Sequence, residues 1–339
     1  MLNHPDSRLV EQMDYYIRPE EPETDFLQIS SAEEIKICDP ACGSGHMLTY
    51  AFDLLYAIYE EQGYQATDIP RLILTHNLYG IEIDQRAGAL AAFALTMKAR
   101  EKDRRFFTRR RSSESRVMSK EKELNTQNSL LTTQPNICVL ENIERVEPED
   151  LAAYRENVVD LFTDDLVAVV NQWEEADNFG SLIRPLVTDV SEVLTQLSSQ
   201  ETKDSLLNTQ NSLLITQTHQ KVLTALRQAD YLSPKYHVVV ANPPYLGSKG
   251  MTPRLKEFLN DQYKDVKSDS FSAFIVRNSE LCVANGQLGY MSPFTWMFIA
   301  THAKLRNFLI DQKTFTSLVQ LEYSGFDGCL LYTSPSPRD

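Results

Sequence analysis

The residue types best suited to chemistry lie in two short segments, Asp-Pro-Ala-Cys-Gly-Ser-Gly at residues 39–45 and Asn-Pro-Pro-Tyr at residues 242–245. Each segment directly follows a hydrophobic run, at residues 35–38 and 237–241, that is typical of a buried strand. Glycines let a ligand approach the backbone closely, and the helix expected from His46 onward begins with unpaired amide donors. The first segment therefore predicts a nucleotide site at a turn between a strand and a helix.

The glycine pattern narrows the choice of ligand for the first segment. Nicotinamide cofactors, flavins and S-adenosylmethionine all bind at glycine-rich turns, but the dinucleotide fingerprint has three glycines in the spacing G-x-G-x-x-G. Here a single Gly43-Ser44-Gly45 turn is followed by bulky Leu48, without a third glycine. The pattern suits a ligand without phosphate at the turn, such as the methionine part of S-adenosylmethionine.

Residues at the ends of the next two predicted strands complete the predicted donor site. An acidic side chain after the second strand accepts hydrogen bonds from ribose hydroxyls, and we assign Glu82 to that role, with Ile83 packing on the adenine ring. After the third strand, Glu141 meets the adenine amino group, with Asn142 as the fallback. Ordinary strand-end carboxylates remain the alternative for both acids. The predicted cofactor-binding residues are Asp39, Pro40, Ala41, Gly43, Gly45, Glu82, Ile83 and Glu141.

The second segment predicts a site for an aromatic amine, such as the exocyclic nitrogen of adenine. That nitrogen is a poor nucleophile because its lone pair is delocalised into the ring. The side-chain oxygen of Asn242 and the carbonyl of Pro243 can accept its two hydrogens and localise the lone pair, while Tyr245 stacks on a base taken out of the duplex. A proline-rich turn after a strand is the alternative. The predicted catalytic residues are Asn242, Pro243 and Tyr245, and the predicted substrate-binding residues are Pro244 and Tyr245.

Composition limits the class of protein. The 339 residues carry a net charge of −14, which argues against nonspecific nucleic-acid binding by the whole surface. A basic run at residues 98–111 predicts either a solvated helix end or a patch that contacts phosphates. Five cysteines and six histidines have no disulfide or metal spacing, so we expect no metal and a reducing cytoplasm. No signal peptide or membrane-length apolar run is present, so a soluble chain without a membrane partner is expected.

Strand-like and helical patterns alternate along the chain, which predicts an α/β fold with a parallel or mostly parallel sheet. The predicted strands are 35–39, 78–83, 136–140, 236–241, 287–291 and 317–322. The clearest predicted helices are 46–62, 85–105, 164–177, 270–284 and 302–312, with an extra helix at 70–76.

The long third crossover sets the expected domain organisation. Residues 144–233 are too long for a simple crossover and predict a largely helical insertion between a donor half, 35–143, and an acceptor half, 234–327. Residues 1–34 precede the core, and 101–135 predict a loop expansion. An eleven-residue repeat, at 124–134 and 207–217, predicts two polar loops without a catalytic role. Residues 328–339 look like translated adapter sequence and are expected to be a non-native tail.

With these residues in hand, the chain resembles the adenine-specific DNA methyltransferases of the gamma arrangement, in which the donor motif precedes Asn-Pro-Pro-Tyr. It looks most like the PglX-like methyltransferases of BREX bacteriophage-defence systems. The likeness is carried by residues 39–50, 75–84 and 240–247. The resemblance implies a Rossmann-like S-adenosylmethionine-dependent fold, with Asp39 and Gly43 at the amino-acid end of the donor. It also implies Glu82 at the ribose, Asn242 and Pro243 at the target amine, and Tyr245 at the flipped base.

The resemblance also implies parts that these residues do not supply. Such enzymes have an N-terminal Thr-Pro segment that completes the donor pocket and a C-terminal domain that reads the DNA sequence. Neither pattern is found, so we expect a catalytic-domain fragment that binds double-stranded DNA through a recognition domain elsewhere, with other BREX proteins as partners. Two alternatives remain: methylation of a protein glutamine amide, and a noncatalytic module that binds S-adenosylmethionine or DNA.

Overall fold

The computed structural model describes residues 9–13, 16, 27–107, 134–158, 166–200 and 212–320. The tail at 328–339, the first copy of the repeat except for its last residue, and most of the predicted loop expansion lie outside these residues. Within the described part of the chain, no helix has the length and apolar character needed to cross a membrane.

A five-stranded sheet organises the described residues, and all of its pairings are parallel. The strands run in the order β3-β2-β1-β4-β5. Their bounds are β1 Ile37–Asp39, β2 Leu78–Glu82, β3 Asn136–Val139, β4 Tyr236–Ala241 and β5 Cys282–Tyr290. Chain order proceeds outward from β1 in one direction and from β4 in the other, so the order reverses between these two central strands. The predicted α/β fold with a parallel, Rossmann-like sheet is confirmed.

Helices cover both faces of the sheet, as the parallel strands require. The helices are α1 His46–Glu61, α2 Ile69–Leu72, α3 Gln85–Lys102, α4 Pro148–Val158, α5 Leu166–Asn171, α6 Ala176–Phe179, α7 Ser191–Gln200, α8 Ser212–Tyr231, α9 Pro253–Gln262, α10 Ser270–Leu281 and α11 Ala303–Gln312. A π-helical turn, Ile73–Asn77, continues α2 into β2. The predicted extra helix at 70–76 is therefore present as this composite element.

Two hydrophobic cores lie on the two faces of the sheet. One contains buried residues of α1, α2 and α3, among them Leu48, Phe52 and Leu95. The other joins Ile81 and Val239 of the sheet to the helices of residues 144–233. A third core packs α9, α10 and α11 beside the acceptor half. The described part of the helical insertion therefore covers one sheet face and is integral to the fold.

Three of the predicted elements differ from the structure. The described part of the predicted helix at 164–177 contains two short helices, α5 and α6, separated by a turn in which the carbonyl of Trp173 accepts hydrogen bonds from the amides of Ile143 (3.0 Å) and Ala176 (3.4 Å). The predicted helix at 270–284 ends at Leu281, because Cys282 pairs with Tyr236 and begins β5. Residues 317–320 of the predicted sixth strand form no strand, since they pair with no described residue.

The described part of the second copy of the repeat is also not the loop that its polar composition predicts. Its residues 212–217 form the first turns of α8. Ile215 is buried in the core beneath the insertion, and this apolar contact stabilises a helix despite the polar neighbours.

The described part of the basic run, residues 98–107, lies away from the two chemical segments. Helix α3 starts at the carboxyl end of β2 and runs back for 18 residues, so its last turn is at the amino edge of the sheet. There Lys98 forms an ion pair with Asp53 (2.5 Å), and Lys102 lies over the ring of Tyr56. For these residues the structure favours a solvated helix end over a contact with phosphates beside the target base.

Candidate active site

The two chemical segments lie next to each other at one edge of the sheet. Strands β1 and β4 pair in parallel, with Cys38 opposite Val239, so both segments leave the sheet at carboxyl ends of neighbouring strands. Neighbouring strands are about 4.8 Å apart. This is also where the strand order reverses, the position at which open α/β sheets bind ligands. The geometry brings the predicted donor and acceptor sites together.

The glycine turn after β1 has one open side and one packed side. Gly43 has a φ of +52°, and a Cβ there would meet no atom within 4 Å. Gly45 has a φ of +84°, and a Cβ there would lie 3.0 Å from the Cβ of Ala91 in α3. Both positions therefore favour glycine for conformation, but only Gly43 borders space that a ligand could fill. Gly45 is explained by the close packing of α1 on α3.

Glu82, the predicted ribose ligand, faces this turn from the end of β2. Its Oε2 accepts a hydrogen bond from the Gly43 amide (2.7 Å), and its Oε1 accepts from the amides of Ile83 (2.9 Å) and Asp84 (3.0 Å). A carboxylate offers about four acceptor positions. Three are used, so a two-bond contact to ribose hydroxyls requires one backbone amide to be released.

Asp39, the predicted ligand of the donor's amino-acid end, is a buried carboxyl at the end of β1. Its pKa is raised from the ordinary 3.8 to about 7, mainly by burial; the hydrogen bond from the Ala41 amide (3.1 Å) opposes this shift, and the nearby charge of Glu82 adds to it. The protonated form is therefore well populated near neutral pH. A cationic group at this carboxyl would favour ionisation.

The predicted adenine-binding residues surround the same edge. Ile83 is half exposed, at 46%, although its side chain is apolar. Glu141 is exposed, and its backbone amide donates to the side-chain oxygen of the buried Gln228 in α8. The Asn142 side-chain oxygen accepts a hydrogen bond from the Asp177 amide (2.9 Å). Asn142 is therefore engaged within the protein, which leaves Glu141 the more accessible of the two candidates.

At the acceptor segment, Asn242 is exposed and its neighbour Pro243 is buried. The Tyr245 hydroxyl donates a hydrogen bond to Oδ1 of Asn242 (2.8 Å). This bond orients the amide oxygen, and one further acceptor position on that oxygen remains for an incoming amine. The structure thus joins the predicted catalytic residues Asn242 and Tyr245 directly.

Helix α10 holds the second half of the acceptor segment, a role that the sequence analysis did not foresee. The buried Ser270 hydroxyl donates to the carbonyl of Pro244 (2.7 Å) and accepts from the amide of Leu246 (2.9 Å). The ring of Phe271 lies edge-on to the ring of Tyr245, with centroids 6.3 Å apart. The available sequence signal is the Asp269-Ser270 pair before the predicted helix, because Asp269 caps α10 by accepting from the Phe271 amide.

An open depression of about 530 Å³ lies elsewhere, between α6 and α9. Its lining residues are Phe179, Arg254, Glu257, Phe258, Asn260 and Asp261. None of them is a predicted site residue, and Arg254 already pairs with Glu175 and Glu257. The edge that carries Asp39, Glu82 and Asn242 is therefore the better candidate for chemistry. Among the described residues, no group of three or more His, Cys, Asp or Glu side chains could hold a metal ion.

Comparison with protein families gives a match over most of the chain. The model of the family described as "Eco57I restriction-modification methylase" matches residues 76–326. This range includes Glu82 and the Asn-Pro-Pro-Tyr segment at 242–245, but not the segment at 39–45. The glycine turn therefore adds information that is independent of this match.

Individual relatives agree with the family match. The chain is 34% identical to the adenine-specific methyltransferase BrxX of Escherichia coli O9:H4 (strain HS), over 96% of this chain and 27% of that protein. It is 30% identical to the adenine-specific methyltransferase PglX of Lacticaseibacillus casei (strain Zhang), over 81% of this chain and 21% of that protein. It is 26% identical to the type II restriction enzyme and methyltransferase RM.Eco57I of Escherichia coli, over 43% and 15%. The chain thus spans about a quarter of the length of the first two relatives.

Proposed function

Because the chain belongs to the Eco57I restriction-modification methylase family, we propose that it methylates the exocyclic amino group of adenine in double-stranded DNA, with S-adenosylmethionine as donor. The observation that carries this proposal is the parallel pairing of β1 with β4, from which the glycine turn and the Asn-Pro-Pro-Tyr segment emerge side by side. The names of the BrxX and PglX relatives support adenine as the target.

The residues at the donor edge fit this cofactor. The open space at Gly43 admits a ligand to the backbone, and the half-exposed Ile83 offers an apolar surface for an adenine ring. Asp39 binds the ammonium group at the amino-acid end, and Glu82 accepts from the ribose hydroxyls. The Gly43 amide, when released from Glu82, can donate to the carboxylate of the ligand. When bound there, S-adenosylmethionine would supply a methyl group on a positively charged sulfur, and this sulfur would keep the electron pair of the broken sulfur–carbon bond.

The residues of the acceptor segment prepare the nucleophile. Oδ1 of Asn242 and the carbonyl of Pro243 accept the two hydrogens of the adenine amine and direct its lone pair toward the donor edge. A nitrogen–carbon bond forms, and one amine proton is lost to solvent. The ring of Tyr245, braced by Phe271, stacks on the base, which must leave the duplex to reach Asn242. Pro244 contacts the same base.

The relatives suggest a biological setting as well. We place the protein in a BREX-type bacteriophage-defence system, in which duplex DNA is its substrate and other defence proteins are its partners. Recognition of the DNA sequence requires contacts with base edges. We assign those contacts to a recognition domain outside the residues described here.

The function is tested by incubating the full-length protein, with its recognition domain, with duplex DNA and S-adenosylmethionine that carries a tritiated methyl group, then analysing nucleosides by mass spectrometry. We expect label on the amino nitrogen of adenine. Label on a glutamine amide of an added protein, and none on DNA, would instead support the protein methyltransferase. Binding of the donor without transfer to any DNA would support a noncatalytic module. Either result would contradict the proposal.

A further inference from the structure

Part of the helical insertion reaches the donor edge. We call residues 173–184 the bridging segment. Within it, the hydroxyl of Ser181 donates a hydrogen bond to the carbonyl of Pro40 (2.6 Å), and Ser181 is 2% exposed. Pro40 lies in the turn between Asp39 and Gly43. A residue 141 positions along the chain therefore holds the middle of the glycine turn.

The same segment contacts the loops after β2 and β3. A Cβ at Gly180 would lie 3.2 Å from Cγ2 of Ile83, so the backbone there packs closely against the predicted adenine surface. The amide of Asp177 donates to Asn142 (2.9 Å). All three loops that carry the predicted donor ligands are thus contacted by one segment that the sequence analysis treated only as part of an insertion.

The opposite side of the bridging segment is fixed by the acceptor half. Nε of the buried Arg277 in α10 donates to the carbonyls of Ser181 and Ile183 (both 3.2 Å). The Tyr263 hydroxyl donates to the carbonyl of Leu182 (2.6 Å). Because these donors come from well-packed elements, the position of Ser181 is set by the rigid part of the acceptor half. The bridging segment therefore connects the two halves: its backbone carbonyls accept hydrogen bonds from the acceptor half, and the Ser181 hydroxyl donates one to the donor half.

We propose that Ser181 is a positioning residue for the methyl donor, and that the bridging segment is a wall of the donor site. Ser181 fixes the Pro40 carbonyl, and thereby the turn that carries Asp39 and Gly43, while the backbone at Gly180 borders the Ile83 side chain on which the adenine ring would pack. This inference rests on the proposed function for the identity of the donor. It adds a fourth element to a site that otherwise consists of three strand ends.

The consequence differs from that of an ordinary buried hydrogen bond. Loss of the Ser181 hydroxyl leaves the Pro40 carbonyl without this donor, which costs some stability in any case. If Ser181 positions the turn, the folded protein also binds the donor more weakly, because ordering of the turn then takes place on binding. If Ser181 were purely structural, its replacement would lower stability and leave the affinity of the folded protein for the donor unchanged.

Ser233 is a matched control. Its hydroxyl donates to the carbonyl of Ala229 (2.7 Å), it is also buried, and it lies in the insertion away from the donor loops. Calorimetric titration with S-adenosylhomocysteine, the product form of the donor, should show Ser181→Ala binding about tenfold more weakly than wild type. Ser233→Ala should bind as wild type does. Thermal unfolding without ligand measures the stability loss of both variants separately.

The outcomes distinguish the two proposals. Wild-type affinity in folded Ser181→Ala would overturn the positioning role and leave the proposed function standing. No binding by the wild type would contradict both. If Ser181→Ala does not fold, hydrogen exchange on the wild type decides: amides of residues 177–183 should exchange severalfold more slowly with S-adenosylhomocysteine bound, and those of α7 should not change. Unchanged exchange in the bridging segment would show that this segment is not a wall of the donor site.

Discussion

The donor and acceptor regions are built differently although they share one edge of the sheet. At the donor region, Asp39 is buried and the Glu82 carboxylate accepts hydrogen bonds from three backbone amides. At the acceptor region, Asn242 is exposed and its amide oxygen is oriented by a side-chain hydroxyl, that of Tyr245. A site for a small ligand can be preformed from backbone and buried charge. A site for a base within a large polymer must stay open.

This difference implies that the two regions respond differently to mutation. Changes at the donor region should alter affinity or stability, because its residues are bound into the fold. Changes at Asn242 should alter the rate of transfer alone, since its side chain contributes little to the core.

The largest effect is expected from Asn242→Ala. Removal of the amide oxygen leaves the amine hydrogens without an acceptor in the transition state, so methyl transfer to DNA should fall by about 10²- to 10⁴-fold. Affinity for S-adenosylhomocysteine should stay within about twofold of wild type. Tritiated-methyl incorporation and calorimetry measure the two quantities. Asn260→Ala, at an exposed asparagine of α9, is the control. Full activity in Asn242→Ala would refute its catalytic role.

Glu82→Gln should weaken donor binding by roughly 10- to 100-fold, because charge-assisted hydrogen bonds to the ribose are lost. The neighbouring Asp84 is a matched control, since its carboxylate caps α3 by accepting from the amides of Arg86 (2.8 Å) and Ala87 (3.0 Å). Asp84→Asn keeps a side-chain oxygen that can cap the helix, so it should change stability little and leave calorimetric affinity unchanged. Equal losses of affinity in both variants would show that Glu82 has no specific contact.

Alanine substitutions at the two glycines of the turn should have different effects, mainly on donor affinity at Gly43 and mainly on stability at Gly45. Gly43→Ala adds a methyl group beside open space and should reduce donor affinity about tenfold, with about 1–2 kcal/mol of backbone strain. Gly45→Ala meets Ala91 at 3.0 Å and adds similar strain, so stability should fall by about 2–4 kcal/mol. Denaturant unfolding and calorimetry measure both variants. A larger loss of stability in Gly43→Ala than in Gly45→Ala would reverse our interpretation of the turn.

The smallest effect is the pH dependence of Asp39. With its pKa raised to about 7, the carboxyl is mostly protonated at pH 6, so affinity for S-adenosylhomocysteine should rise by up to about tenfold between pH 6 and pH 8. Asp39→Asn should remove this dependence. A flat pH profile in the wild type would mean that the Asp39 carboxylate does not bind the donor.

The contribution of Asp39 to folding stability should change with pH in the opposite direction, falling as the pH rises. The folded protein holds the Asp39 proton more tightly than the unfolded chain, whose pKa is near 3.8. The resulting stabilisation is complete below pH 3.8 and is lost as the pH rises through about 7. The unfolding temperature of Asp39→Asn minus that of the wild type should therefore be larger at pH 8 than at pH 5. Scanning calorimetry of both proteins at both pH values measures this difference.

Local sequence patterns predicted the elements that carry the site. Runs of apolar residues located all five strands, and the glycine turn located the start of α1 at His46, because these features depend on local preferences. Asn242 and Glu82 belong to short motifs at the ends of strands, and the parallel sheet brings those strand ends to one edge.

Tertiary contacts account for what the sequence did not reveal. Ser181 reaches Pro40 across 141 positions, and no periodic pattern marks such a contact. The carbonyl of Trp173 accepts a hydrogen bond from the distant Ile143 amide in the turn between two short helices, where the local pattern predicts one continuous helix. Leu318 and Val319 have strand-like side chains but remain exposed, because a strand also needs a partner.

The central claim is that the donor and the target amine meet between the β1 turn and the Asn242 segment. An experimental structure with S-adenosylhomocysteine bound tests it most directly. We expect the adenine ring on Ile83, the ribose at Glu82, and the sulfur facing Asn242 with room for a methyl group and an amine nitrogen about 3–3.5 Å from its carbon. A ligand bound at another edge of the sheet, or with its sulfur turned away from Asn242, would contradict the account.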